Sequence, residues 1–352
     1  MHVLHVVGAR PNFMKAASLL RALGQANVRQ TLVHTGQHYD VNMSEVFFRQ
    51  LGIPEPDVNL AVGSGSHALQ TARVMACFEP IVAEYRPHLV LVYGDINSTA
   101  AAALVCAKLS VPVGHVEAGL RSFDRSMPEE INRVVTDQLS ELLFTPSADA
   151  NANLLREGIA ERRMHFVGNV MIDTLVRLLP RALEIENHEL PPKYGLLTLH
   201  RPANVDEPET LHQILTSILA VSQQLPIIFP VHPRTRQSIS QFDLSAKGIQ
   251  FCGPLSYVEF LALQRNAMVV LTDSGGVQEE TTYLGVPCLT LRHNTERPIT
   301  VEMGTNILVG RDPERLCIEF QNILNGRPKR GQVPPLWDGH AGERIAALLS
   351  RA

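Results

Sequence analysis

Short apolar runs rich in Val, Leu and Ile alternate with longer amphipathic stretches along this chain, and the alternation runs through twice. The runs "HVLHVVG", "TLVHTG", "HLVLVYGD", "VPVGHVEAG" and "ELLFTPS" have the length and composition of strands. The intervening "NFMKAASLLRAL", "NSTAAAALVCAKL" and "PEEINRVVTDQLS" read as helices. Such alternation predicts βαβ units and a mostly parallel sheet. The pattern restarts after residue 170 with "YGLLTLH", "LPIIFPVH", "GIQFCGP", "AMVVLTD", "VPCLTL" and "TNILVG". Between the two sets, the charge and prolines of "LLPRALEIENHELPPKY" suit a linker. The expected architecture is α/β: two Rossmann-like doubly wound domains, 1–170 and 171–338, with a cleft between them. Ligands of such folds bind beyond the carboxyl ends of the strands.

A length of 352 residues fits two domains, and 45% apolar content is enough for two cores. A net charge of −4 argues against a nucleic-acid partner, which needs a concentrated basic field. The five cysteines are scattered without a C-x-x-C, the pattern of reduced thiols in a cytoplasm. No Cys/His cluster with the spacing of a metal site stands out, so no metal is expected. The first residues enter a strand without a charged-then-apolar leader, and no apolar run approaches the ~18 residues of a membrane span. The expected location is therefore cytoplasmic, without a membrane partner.

The polar clusters fall just after the strand candidates, and they are rich in cations, histidines and carboxylates. "GARPNFMK" places Arg10 and Lys15 around a helix start. Cations are misplaced there for helix stability, and a bound anion would resolve the conflict. "VYGDINST" and "GHVEAGLRS" end two strands with Asp95 and Glu117, and "MPEEINR" opens a helix with Glu129, Glu130 and Arg133. Carboxylates clustered at one sheet edge shift one another's pKa and are suited to acid and base roles. One of Glu129 and Glu130 could equally be a first-turn residue that serves only the helix. "TLHRPANVD" supplies His200 and Arg201, and "PVHPRTR" supplies His232, Arg234 and Arg236, groups fit to carry protons or to hold a diphosphate. In "LTDSGGVQEE" a strand hands over to a helix through Ser274, Gly275 and Gly276. Glycines at such a junction admit an anion to the free N–H groups of the helix start.

"GSGSHA" matches G-x-G-x-x-A at Gly63, Gly65 and Ala68. A dinucleotide fingerprint closes the first strand of its unit and has an acid at the end of the next strand. Here two strands come first and the nearest candidate acid about 20 residues on, Glu84, sits inside a helix, so no NAD site is expected.

Taken in order, "GARPNFMK", "HTGQH", "YGDINST", "GHVEAGLRS", "PEEINR", "GNVMIDTL", "LHRPANVD", "LTDSGGVQEE" and "NTERPITVEMGTN" resemble the non-hydrolysing UDP-N-acetylglucosamine 2-epimerase family over nearly the whole chain. The resemblance implies a glycosyltransferase-B-type fold, in which the last helix, about 339–352 here, packs back on the first domain. It implies no cofactor and no obligatory metal. It assigns Arg10, Lys15, Asp95, Glu117, Glu129, His200, Ser274, Gly275, Gly276, Glu280 and Arg297 to catalysis or substrate binding, with Glu129 rather than Glu130 as the third catalytic carboxylate. Ser274, Gly275 and Gly276 would hold the diphosphate and Glu280 the ribose. Arg133 and His232 join the substrate set, and Phe260 would line the uracil pocket. The family often has glutamine near that pocket where Leu255 stands here. Gln37, His38 and Arg73 match a second, activating UDP-GlcNAc site, with Arg201 beside it. A homodimer is the assembly the resemblance implies.

The activity implied is interconversion of UDP-GlcNAc and UDP-ManNAc, which supplies ManNAc-type sugars for cell-surface polysaccharide. UDP is eliminated to leave 2-acetamidoglucal and then added back. A 2-epimerase of a UDP-2,3-diacetamido uronic acid is one alternative, because "HTGQHYDVNMSEVFFRQLGIPEPD" has that subgroup's look while "NTERPIT" favours the plain sugar. A hydrolysing relative, a UDP-sugar glycosyltransferase on the same fold and a non-catalytic sensor are the others.

Overall fold

The computed structural model describes residues 1–36, 48, 50–185, 190–231, 233–242, 248–253 and 255–350. Contacts divide the chain into two compact units, Met1–Arg177 with Pro335–Ala352, and Leu178–Pro334.

The first unit carries seven strands among its described residues: β1 (His2–Val7), β2 (Arg29–His34), β3 (Val58–Asn59), β4 (Leu89–Tyr93), β5 (Val113–Val116), β6 (Leu142–Thr145) and β7 (Met164–Phe166). They lie in the order β3-β2-β1-β4-β5-β6-β7, and every pairing is parallel. The sheet order changes direction between β1 and β4, so the loops after these two strands flank the switch point where ligands of such sheets bind. Leu4, Val6, Val90 and Val92 project into one core with Phe78 and Val82 of the helix His67–Tyr85. The helix Ala341–Leu349 closes this unit. Its first N–H groups, from Ala341 and Gly342, donate to Asp173 at 3.0 and 2.7 Å, and the Trp337 indole donates to the Pro146 carbonyl at 2.9 Å.

The second unit has β8 (Gly195–Thr198), β9 (Ile227–Pro230), β10 (Ile249–Cys252), β11 (Val269–Thr272), β12 (Cys288–Thr290) and β13 (Asn306–Leu308), in the parallel order β10-β9-β8-β11-β12-β13. Its switch point lies between β8 and β11. Side chains of a strand alternate between faces. Accordingly Leu197, Phe229, Val269 and Leu271 enter one core, while Leu196, Ile228 and Val270 enter a second on the opposite face. Both faces are buried, which is why these strands read as continuous apolar runs.

Two details depart from the sequence reading. The edge strands β3 and β7 are two and three residues long, too short for an alternation to show. The helix Val170–Leu183 runs into the stretch read as linker, through Pro180. Ile172, Leu175, Leu178 and Ala182 are buried at helical spacing, and their burial outweighs the hydrogen bond that the proline removes.

Candidate active site

In the first unit, the loop after β1 is tied to the end of β4 by Asn12. Its Oδ1 accepts the Gly8 and Ala9 N–H groups at 3.2 and 3.1 Å, and its Nδ2 donates to the Tyr93 carbonyl at 2.8 Å. Arg10 opens the helix Arg10–Gln25 half-buried, and Lys15 lies 1.5 turns further on, buried against the Glu117 carboxylate. The cation expected to await an anion is thus already matched inside the protein. Gly94 makes the room: at φ +61° it takes a conformation that favours glycine, and a Cβ there would sit 2.5 Å from Lys15 Nζ and 3.2 Å from Glu117 Oε2. Glu117 itself has φ 76°, a strained value for a non-glycine residue and one that concentrates at functional sites.

Tyr93 pairs with Val116 across β4 and β5, so Asp95 and Glu117 leave neighbouring strand ends. Asp95 is half-buried and faces Arg133 Nη1. Arg133, fully buried, also grips Glu130 at 2.6 Å. Glu130 accepts the N–H of Ser122 at 3.0 Å and of Phe123 at 2.8 Å. Burial raises its pKa, but the Ser122, Arg133 and Phe123 donors reverse that and hold it below the ordinary value. Glu130 therefore anchors the 122–123 loop. The Glu129 side chain, half-buried beside it, makes no hydrogen bond or ion pair among the described residues. Of the two adjacent glutamates, Glu130 is the one committed to holding the fold.

Beneath these groups runs a network the sequence did not disclose. His115 Nδ1 meets Asp137 Oδ1 at 2.6 Å, and its Nε2 meets the Gly94 carbonyl at 2.8 Å. Asp137 also accepts Arg121 at 2.7 Å and the Gly119 N–H at 3.1 Å. Burial pushes Asp137 up, and His115 and Arg121 more than offset it, so the carboxylate stays ionised. The network fixes both loops that carry Asp95 and Glu117. His115 and Arg121 flank Glu117 in "GHVEAGLRS", and that adjacency was the available signal.

In the second unit, Ser274 is the N-cap of the helix Gly275–Leu284, and its side chain makes no capping bond. The first N–H groups of a helix have no partner within the helix itself, which is what an anion site uses. Neither Gly275 nor Gly276 is among the positive-φ residues, so conformational freedom is not why glycine stands here. At Gly275 the reason is space: a Cβ would lie 2.6 Å from Glu296 Oε1 and 2.9 Å from Arg297 Cζ. Arg297 meets Glu279 Oε1 at 2.9 Å and also pairs with Glu296. Glu296 further binds Arg292 at 2.8 Å and Arg201 at 3.2 Å. Burial raises the Glu296 pKa, but Arg297, Arg201 and Arg292 together hold it well below the ordinary range. Glu296, missed in the sequence, is the hub that orders three arginines near the helix start.

His200 follows β8, half-exposed, with Nδ1 2.9 Å from the buried carboxylate of Asp273. Glu280 is buried and accepts the Tyr257 hydroxyl at 2.8 Å. Phe260 is half-buried and packs with Leu255 on the core around Tyr194 and Leu196. Arg73 is exposed on the helix His67–Tyr85. Gln37, His38 and His232 lie outside the described residues. The "GSGSHA" segment leads from the edge strand β3 into a helix whose first turn is capped by Ser66, donated to by Leu69 N–H at 3.3 Å. Among the described residues no cluster of His, Cys, Asp and Glu is placed to hold a metal ion, and no helix is long and apolar enough to cross a membrane.

The family model for UDP-N-acetylglucosamine 2-epimerase matches residues 21–350. A UDP-N-acetylglucosamine 2-epimerase of Methanocaldococcus jannaschii is 45% identical over 98% of each chain. A UDP-2,3-diacetamido-2,3-dideoxy-D-glucuronate 2-epimerase of Pseudomonas aeruginosa is 41% identical over 100% of each chain. The crystal structure of the M. jannaschii UDP-GlcNAc 2-epimerase in complex with UDP-GlcNAc and UDP superposes with a TM-score of 0.95, at 45% identity and covering 100% of both chains.

Proposed function

The chain belongs to the UDP-N-acetylglucosamine 2-epimerase family, and from that premise we propose that it is an isomerase that interconverts UDP-GlcNAc and UDP-ManNAc by eliminating UDP and adding it back. The observation that supports this reading best is the pair of carboxylates at neighbouring strand ends, Asp95 and Glu117, each set against its own cation. A glycosyltransferase on this fold has no need of them.

The hydrogen on carbon 2 of the sugar is not acidic, so a base alone cannot invert that centre. Departure of UDP solves the problem: the bond from carbon 1 to oxygen breaks and its electron pair leaves with the diphosphate. The carbon 2 proton passes to a carboxylate, and the carbon 2 bonding pair forms the double bond of the glycal. Re-addition of UDP with proton delivery to the other face gives the epimer. The nucleotide is assigned to the second unit, where the helix start at Ser274, Arg297 and His200 would stabilise the leaving charge. The proton transfers are assigned to Asp95, Glu117 and Glu129 of the first, with Arg10 and Lys15 as the flanking cations. Glu280 and Phe260 serve the ribose and uracil in the same reading.

In deuterated water, without NAD or added metal, the product pool from UDP-GlcNAc is expected to carry deuterium at carbon 2, read by NMR. Oxygen-18 placed between carbon 1 and phosphorus is expected to scramble into the non-bridging positions. Epimerisation with retention of the original hydrogen would overturn the mechanism. The 41% identity to the diacetamido-glucuronate enzyme favours a second reading in which that sugar is the substrate. Comparing kcat/KM for the two sugars decides between them.

A further inference from the structure

Asp273 directly follows β11 at the switch point of the second unit, and its side chain is fully buried. The carboxylate accepts the backbone N–H of His200 at 3.2 and 3.1 Å, the N–H of Arg201 at 3.0 Å and the Asn204 side-chain amide at 3.2 Å. It lies 2.9 Å from His200 Nδ1. Its own backbone carbonyl accepts Arg201 Nε at 3.0 Å. Asp273 thus ties the whole start of the loop after β8 to the end of β11, just before Ser274. Burial alone would raise the carboxyl's pKa. The donors from His200 and Arg201 outweigh burial and keep it ionised, so the shared proton belongs on Nδ1. The opposite edge of the ring, Nε2, is then left for a ligand on the half-exposed side chain.

We propose that Asp273 is a positioning residue: it fixes the Nδ1–H tautomer and the ring plane of His200 so that Nε2 faces the departing diphosphate. The same logic orients the histidine of hydrolytic triads, where an acid behind the imidazole sets the tautomer and stabilises the charge it acquires. With Asp273 behind it, His200 can carry a second proton at Nε2 and present it to the developing negative charge. An aspartate is suited to this place because it is acceptor-only. An asparagine would turn an N–H2 toward at least one of four converging donors.

This inference rests on the assignment of His200 to the leaving group, and its test separates the two. Nitrogen-15 spectra of histidine-labelled protein, with His200 assigned through His200→Ala, are expected to show Nδ1 protonated in the neutral ring. An Nε2–H tautomer in the wild-type protein overturns the proposal whatever the variants do. Asp273→Asn is expected to redistribute the tautomers and to lower kcat at least about tenfold, while UDP binding and the far-ultraviolet dichroism stay close to wild type. In a His200→Ala background the same substitution is expected to change kcat less than about threefold, since a residue that acts only through His200 has nothing left to orient. Equal losses in both backgrounds would assign Asp273 to the fold alone. If His200→Ala leaves kcat intact while the wild type epimerises, the role of His200 falls, and this inference with it, but the reaction stands.

Discussion

Gly275→Ala sets helix propensity against packing. Gly275 is the first residue of its helix and has an ordinary helical backbone, so propensity alone favours alanine by up to ~1 kcal/mol. The added Cβ, however, would stand 2.6 Å from Glu296 Oε1 and 2.9 Å from Arg297 Cζ, with the guanidinium Nη1 closer still. Ordinary carbon contacts lie near ~3.5 Å, so the guanidinium must retreat by roughly 0.5–1 Å. Arg297 is only 6% exposed and is held by Glu279 and Glu296, which leaves it little room to do so. On the proposed assignment of Arg297 to the diphosphate, displacing it would forfeit one charge-assisted hydrogen bond, about 1.5–3 kcal/mol, or roughly a ten- to hundredfold rise in the Kd of UDP. The change in overall stability is expected to stay within about 2 kcal/mol, because propensity offsets part of the clash. Calorimetric titration with UDP, beside a melting curve, reads both quantities. A folded Gly275→Ala protein that binds UDP within about threefold of wild type would refute the argument that the Arg297–Glu296 pair, rather than the backbone angle, requires glycine here.

Three further outcomes are expected. Glu129→Gln should keep the melting temperature and lose about 10²-fold or more in kcat, whereas Glu130→Gln should lower the melting temperature first, because Glu130 holds Arg133 and the 122–123 backbone; the reverse pattern in paired melts and rate assays would exchange their roles. Burial pushes His5 down to about 3 and His34 to about 4 from an ordinary 6.5, so the unfolded chain takes up protons that the folded chain refuses, and stability falls as pH drops below 6.5, by about 2 kcal/mol per histidine at pH 5; denaturant midpoints that do not move between pH 7.5 and 5 would contradict this. If exposed Arg73 helps to hold an activating UDP-GlcNAc, the reverse reaction from pure UDP-ManNAc should begin with a lag that a trace of UDP-GlcNAc removes, and Arg73→Ala should lengthen that lag; linear progress curves in both proteins would count against such a site.

The sheets were legible in the sequence because both their faces are buried, which left Val-, Leu- and Ile-rich runs with turns at fixed places. The candidate residues were legible because parallel strands put their carboxyl ends, and the loops leaving them, on one edge. The parts that stayed hidden depend on contacts between residues distant in sequence. Nothing in "PEEINR" says that Glu130 closes on Ser122 and leaves Glu129 outside; only the fold brings the 122–123 N–H groups to that carboxylate. Nothing in "VVTDQL" says that Asp137 reaches back to His115, 22 residues earlier.

The largest revision concerns the cations. As a sequence, Lys15 at a helix start is a charge in search of an anionic ligand, and the family resemblance adds Arg133, Arg201 and Arg297 to the ligand-binding set. In the folded chain Lys15 holds Glu117, Arg133 holds Asp95 and Glu130, and Arg201 and Arg297 share Glu296. A buried cation without a partner would be costly, and a long side chain without a fixed partner would have to be ordered when the ligand arrives. Protein carboxylates remove both costs in advance. They hold the guanidinium groups of Arg201 and Arg297 in place near the helix start at Ser274, and they set Lys15 and Arg133 against the two strand-end carboxylates of the first unit. The arrangement predicts its own weakness. Neutralising Glu296 would leave three arginines crowded around an uncharged centre, so Glu296→Gln should weaken UDP binding more than Glu280→Gln does, although Glu296 is assigned no contact with the nucleotide. Titration of UDP into the two variants tests the order. A Glu296→Gln protein that binds UDP more tightly than wild type would show that the freed positive charge outweighs the loss of order, and that preorganisation is the wrong account of this hub.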